Sequence, residues 1–234
     1  MSSRGISIAE VSRRAGVSES TVHRVLHGTV DPSYGTLQKI GLACGVDVVL
    51  ETKDTSDPRA ASAARALLEK GYPGGDEEWC DKLKRLAGSS SPIPLVETAA
   101  RYSSPLQREE VVLFTGDISL GHIASAGDSS GGEWAISGAS GLYRPSISDS
   151  APPVTILWCT NNIQALHLLN DSNLTRTQLI ESATVALLYA DPELFFDSFR
   201  DGIVRYVSPI QIIMDCLSMK GTAHDDALSE AKSW

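Results

Sequence analysis

Apolar positions recur at helical spacing near the start of the chain and gather into short β-branched runs further on. In SIAEVSRRAG, residues 7–16, Ile8, Val11 and Ala15 fall on one helical face, Ser7 stands where an N-cap belongs, and Gly16 stops the helix with a left-handed turn. Ser18 caps a second helix whose buried stripe is Val22, Val25 and Leu26, and Gly28 ends it. A third helix follows Asp31-Pro32, from Ser33 to Ala43, with Leu37, Ile40 and Leu42 available to bury. An Ala-rich fourth helix is predicted from Asp57-Pro58 to Lys70, and a fifth from Asp76 to Leu86.

The small, polar, Pro-containing segment AGSSSPIP (87–94) then reads as a linker. Beyond it the pattern changes. Leu95 to Tyr102 reads as a helix and Val111 to Phe114 as a short apolar run, after which Asp117 caps a helix through Ile123. The Gly-, Ser- and Pro-rich stretch 125–153 predicts loops around a strand at Trp134–Ser137. VTILWC (154–159) is a buried strand, followed by a helix from Thr160 through Leu169 and another from Thr175 to Ser182. Ala183 to Tyr189 is either a strand or a buried helix start. Asp191-Pro192 opens a helix to Arg200, Ser208-Pro209 opens one through Ser218, and Thr222 caps the last. Alternating strand and helix signals imply α/β layers. The fold class is therefore α/β overall: an all-α N-terminal domain, then an α/β domain with a mixed sheet. The expected boundaries are 1–88 for the first domain with its extra helices, 89–94 for the linker and 95–234 for the second.

With 234 residues, 42% hydrophobic and 21% charged, the chain is long enough for two packed domains. The first residues lack the apolar core of a secretory signal, and the longest apolar run, Ala183 to Ala190, is too short to span a bilayer, so a cytoplasmic protein without a membrane partner is expected. The four cysteines are scattered without a C-x-x-C pair, which fits reduced thiols. The net charge of −9 argues at first against nucleic acid, but residues 1–70 hold nine Lys/Arg against eight Asp/Glu, leaving −10 on the rest. One end alone is electrostatically open to a polyanion.

Within that end, EVSRRAGVSESTVHRVLHG has the spacing of a helix-turn-helix: Ser12 small at the helix contact, Gly16 in the turn, Val17 in the corner, Val22 and Val25 inward. Its outward side is Ser18, Glu19, Ser20, His23, Arg24 and His27. Thr21 and Ser7 sit at helix starts, where backbone N–H groups meet phosphate. Arg24 is suited to a bidentate contact with guanine, Glu19 to a cytosine amine, and Arg13 and Arg14 to phosphates. His23 and His27 imply a DNA affinity that varies with pH near neutrality; their i,i+4 spacing lacks a third ligand, so no metal is expected. The stretch resembles the DNA-binding headpiece of lac-repressor-type regulators and is similar to the XRE (phage-repressor-like) superfamily, over roughly residues 6–50. A helix normally precedes the pair in XRE domains; here only MSSRGI does, so packing from Asp57 to Lys70 is expected to replace it.

The second domain offers little chemistry. His122, His167 and His224 have no catalytic partner in the sequence, and GDSSG (127–131), though it matches G-x-S-x-G, lacks the strand-to-helix setting of a nucleophile elbow. Asp191, Glu193, Asp197 and Asp201 read as the solvated face of one helix, with metal ligands of a nuclease as the alternative. The segment RYVSPIQIIMDCLSMKGTAHDDALSEA (205–231), with Thr115-Gly116 and VTILW, resembles the C-terminal domain of AbiEi-type antitoxins, which implies an autoregulating repressor without catalysis. The expected function is a sequence-specific DNA-binding repressor, a homodimer on palindromic double-stranded DNA, with a protein toxin or a small-molecule effector as further partner and no cofactor. The alternative is a nuclease-like enzyme targeted to DNA by its head.

Overall fold

The computed structural model describes residues 6–50 and 56–233. The chain divides into two compact units, Met1–Lys53 and Asp54–Trp234. In the first, α1 (Ile8–Ala15) begins where the Ser7 hydroxyl accepts the Glu10 N–H. It ends at Gly16, whose φ of 62° sends the chain across to α2 (Glu19–Leu26). The Ser12 hydroxyl donates to the Val17 carbonyl and ties the corner. Ser18 caps α2 and Ser33 caps α3 (Tyr34–Ala43), each accepting the N–H three residues on. Val11, Ala15, Val22, Ile40 and Ala43 form the core, with Val17, Val25 and Leu26 packed around it.

Leu37 and Leu42, expected inside, are 38% and 64% exposed. The core-facing pair of α3 is Ile40 and Ala43, one turn apart, and the other leucines fall off that line. Past α3 the chain folds back on the helix. The Tyr34 hydroxyl donates to the Val48 carbonyl at 2.9 Å, and a Cβ on Gly41 would stand 2.6 Å from a Val48 methyl carbon.

The second unit begins earlier than the composition implied. Helices α4 (Pro58–Leu68), α5 (Glu77–Ala87) and α6 (Pro92–Tyr102) pack on one another, and α4 and α6 pack on α10 (Pro209–Leu217). The expected boundary at residue 88 is therefore corrected to 53/54, and the buried alanines of α4 belong to the core of the second unit. AGSSSPIP is no interdomain linker: it turns from α5 into α6, whose first residue is Pro92. The charge asymmetry survives the correction, because Met1–Lys53 holds six Lys/Arg against five Asp/Glu.

The remaining elements, in chain order, are β1 (Val112–Thr115), α7 (Leu120–Ser129), β2 (Trp134–Gly138), α8 (Ala139–Tyr143), β3 (Thr155–Cys159), α9 (Ile163–Asn170), β4 (Thr175–Thr177), β5 (Val185–Tyr189), β6 (Phe199–Asp201), β7 (Val204–Tyr206), then α10 and α11 (Thr222–Ala231). The strands make one seven-stranded mixed sheet in the order β4-β1-β5-β3-β2-β7-β6, with β3 parallel to β5, β2 parallel to β7 and the other neighbours antiparallel. Strand side chains alternate between faces. Trp134 lies against Gly127 of α7, while Ser137 of β2 and Trp158 of β3 reach Asp215 of α10. Helices thus cover both faces of the sheet, which is why β2 and β3 are buried along their whole length.

Three local expectations are corrected. Thr175 to Ser182 is not a helix but β4 followed by a single 3-10 turn, because Thr175–Thr177 pair with β1. Residues 125–153 are less loop-like than their glycines imply: α7 runs to Ser129, and α8 follows β2 directly. The helix from Asp191 to Arg200 is a 3-10 turn, Pro192–Phe195, and then the β6–β7 hairpin. The cause is Arg65 of α4. Its guanidinium donates to the carbonyls of Leu194 (2.8 Å) and Phe196 (2.6 Å), the acceptors a continuing helix would need. Arg65 is also paired with Glu69 at 2.8 Å and stacked on Tyr72, with its side chain 1% exposed. Arg65→Ala leaves the Glu69 carboxylate, 7% exposed, with the Ser208 hydroxyl as its remaining donor and takes the donors of two carbonyls away. It is expected to cost about 3–5 kcal/mol in urea unfolding followed by tryptophan fluorescence.

Candidate nucleic-acid interface

The polar face of α2 is held outward by what lies beneath it. Val22 is fully buried, and on a helix of 3.6 residues per turn Ser20, His23, Arg24 and His27 fall on the opposite side. All four are exposed, as are Ser18 and Glu19. At the start of α2 the Ser18 hydroxyl lies 2.8 Å from that of Thr21 and 3.1 Å from that of Ser20. Three hydroxyls therefore gather at the positive end of the helix. Thr21 is half-buried, so it belongs to the cap as much as to the outer face. The rings of His23 and His27 stand 4.2 Å apart at 41°. Arg24 makes no side-chain hydrogen bond or ion pair among the described residues, whereas its carbonyl accepts both the N–H and the hydroxyl of Thr29. Ser7 is exposed at the start of α1.

Arg13 and Arg14 are placed differently from free phosphate contacts. Both grip one carboxylate: Arg13 donates to both oxygens of Glu10 (3.0 and 2.7 Å) and Arg14 to one of them at 2.6 Å. These hydrogen bonds, Arg13's first, hold the Glu10 carboxyl below its usual range. The side chains remain 73% and 50% exposed, so both guanidinium groups still face solvent. Exposed pairs of this kind add little stability, but Glu10 neutralises one of two charges that a phosphate would use. The i,i+3 and i,i+4 spacing in EVSRR carries that signal, although Glu10 was not among the residues singled out. Lys39 of α3 is a further exposed cation, beside a groove of about 680 Å³ lined by Ile6, Arg14, Ala15, Leu42 and Gly45.

In the second unit the candidate chemistry disperses. Asp191, Glu193, Asp197 and Asp201 do not share a helix face: Asp191 accepts from Tyr189, Glu193 accepts from Ser62, Asp197 turns the chain at φ 54° and Asp201 ends β6. Ser129 of GDSSG lies at the end of a helix and donates back to the Ala126 carbonyl, the reverse of a nucleophile elbow. His122 bonds Ser119, and His224 bonds the Leu217 carbonyl. Among the described residues no three His, Cys, Asp or Glu side chains converge on a metal position, and no helix is long and apolar enough to cross a membrane. The polar centre is Asp215, fully buried, which accepts from Ser137 (2.6 Å), Gln211 (2.8 Å) and Trp158 (3.1 Å); burial pushes its carboxyl up against the pull of these donors.

Residues 1–52 match the family model of a helix-turn-helix domain. No curated protein and no solved structure matches the chain. The head is thus a helix-turn-helix domain, a fold with which other proteins bind DNA. The match spans the three helices α1, α2 and α3 and stops at the boundary that the fold draws.

Two outcomes follow from the head's geometry. Gly16→Val puts a β-branched residue at φ 62°, with open space around the new side chain, so the penalty is conformational: about 1–2 kcal/mol, read as loss of helical circular dichroism on heating. Glu10→Gln releases Arg13 and Arg14. Fluorescence anisotropy across a salt series is expected to show tighter binding to random duplex DNA and a slope steeper by about one.

Proposed function

We propose that the protein is a sequence-specific transcriptional repressor that reads DNA with α2. The observation that carries this reading is the exposure of Ser20, His23, Arg24 and His27 opposite the buried Val22, with the Arg24 guanidinium held by no described neighbour. In the major groove Arg24 donates to a guanine, and Glu19 accepts from a cytosine amine. Ser7, Ser18 and Thr21 bring two helix N-termini to phosphates, with Arg13 and Arg14 alongside. A single head offers few contacts, so a homodimer on a palindrome with half-sites one helical turn apart is the working form. The second unit, with −10 of the net charge, dimerises and regulates rather than catalyses.

The finer family placement is XRE-like for the head and AbiEi-like for the second unit, as an antitoxin that represses its own operon. The latter rests on Ser208, Pro209, Gln211 and Asp215. The Ser208 hydroxyl caps α10, and Gln211 donates to Asp215; these three are buried in that unit, while Pro209 is exposed. A nucleotidyltransferase-like toxin encoded beside it, neutralised on co-expression, supports the antitoxin role; a neighbour without such activity removes it and leaves the repressor.

Operator selection from random duplexes, then binding by substituted proteins, tests the main reading. Arg24→Ala is expected to cost about 1–3 kcal/mol and to relax preference at one base position, while Arg13→Ala weakens all sequences alike and lowers the salt slope by about one. Unchanged selection by Arg24→Ala refutes the placement of α2 in the groove.

A further inference from the structure

Among the described residues, the side chain of Arg108 in the second unit has no hydrogen-bond acceptor. Arg108 precedes β1, and its guanidinium lies over the Trp158 ring, 4.9 Å from the centroid. Its Nε is buried with no hydrogen-bond partner, and no ion pair joins the side chain to a described residue. Asp215 is near enough to favour the charge, but both its oxygens are taken by Ser137, Trp158 and Gln211. Burial otherwise works against the charged form. A buried donor left unmet costs about 1–3 kcal/mol; Nε itself is closed off, so the terminal guanidinium nitrogens of the half-buried Arg108 are the donors that a ligand in the neighbouring space would meet.

A cavity of about 140 Å³ opens at Arg108, with Tyr72 and Gln211 on its wall and Glu110, Asp191 and Glu193 also lining it. It sits just past the carboxyl end of β5, which runs parallel to β3. Open α/β sheets place their ligands outside the carboxyl ends of parallel strands. We infer that this cavity is a binding site for a small zwitterion, an α- or ω-amino acid, whose carboxylate pairs with Arg108 and whose ammonium faces Glu110, Asp191 and Glu193. A guanidinium presents paired donors to a carboxylate. A simple anion would meet three carboxylates on the same walls, and a simple cation would leave Arg108 unmet. A cavity of roughly 150 Å³ accommodates a molecule of about six heavy atoms, the size of benzene, which admits glycine or alanine and excludes aromatic amino acids. Pro58, Ala61 and Ser62 of α4 close one side, so the ligand touches the first helix after the head.

Thermal unfolding of the full chain tests the site without DNA, so its outcome is independent of the reading of the head. The probes are glycine, L-alanine, L-serine and γ-aminobutyrate, with acetate, inorganic phosphate and methylammonium alongside. At least one amino acid is expected to raise the Tm by about 3–6 °C at tenfold its Kd, and the simple ions are expected to raise it less. Arg108→Met, which keeps an apolar chain over Trp158, is expected to abolish the shift. Glu193→Gln, which also lines the cavity, is expected to weaken binding about tenfold and serves if Arg108→Met does not fold. No shift with any amino acid, an equal shift with acetate or phosphate, or full binding by either variant overturns the proposal.

Discussion

Everything the head presents to solvent depends on one small apolar contact. Val22 of α2 is fully buried beside Val11 and Ala15 of α1 and Ile40 and Ala43 of α3, and the core of this unit contains little else. Rotating α2 by one residue would bring His23 into that contact and turn Arg24 aside. The Gly16 turn, the Ser12–Val17 hydrogen bond and the Ser18 cap fix the entry of the helix, so its rotation is set at the corner before any partner arrives. A core of this size leaves little stability in reserve, and the turn and caps are correspondingly important.

The head was legible in the sequence because its signals are local. Ser7 and Ser18 each cap the helix expected of them, Gly16 takes the left-handed turn, and the outer face of α2 follows from a period of 3.6, while Ser33, read as the first residue of α3, is its cap. What was misjudged there depends on tertiary packing. Leu42 is apolar and helical, yet α3 turns Ile40 and Ala43 inward and leaves it in solvent. The two arginines of α1 were legible as cations, but their shared carboxylate one turn back changes the charge they present.

The second unit divides in the same way. Strand β3 was legible as a β-branched apolar run because both its faces are covered, β2 was expected as a short strand among loops, and the apolar run of β5 left strand and helix open. Strand β4 and the β6–β7 hairpin were not legible, since each strand is three residues long and defined by its neighbour rather than by its composition. The unit boundary was hidden for a related reason. Helix α4 reads as an Ala-rich helix expected to pack on the head, and nothing local reveals that its Arg65 is bonded to carbonyls about 130 positions away in the chain, where |i−j| is 129 and 131. The setting of Arg108 was equally invisible: the sequence shows a cation, and only the fold shows that its Nε is buried with no acceptor among the described residues.

The uneven distribution of charge has a kinetic consequence. Arg13, Arg14, Arg24 and Lys39 are the Lys/Arg side chains of the head's described residues, and Glu10 offsets one of them. Attached to so acidic a remainder, such a surface adheres weakly to arbitrary duplex, because that adhesion is paid out by counterions released per phosphate neutralised. On the proposed reading, a protein with so few free cations in its head slides only short distances and searches for an operator mainly in three dimensions, and its residence there is set by the fit of α2 to base edges rather than by general adhesion.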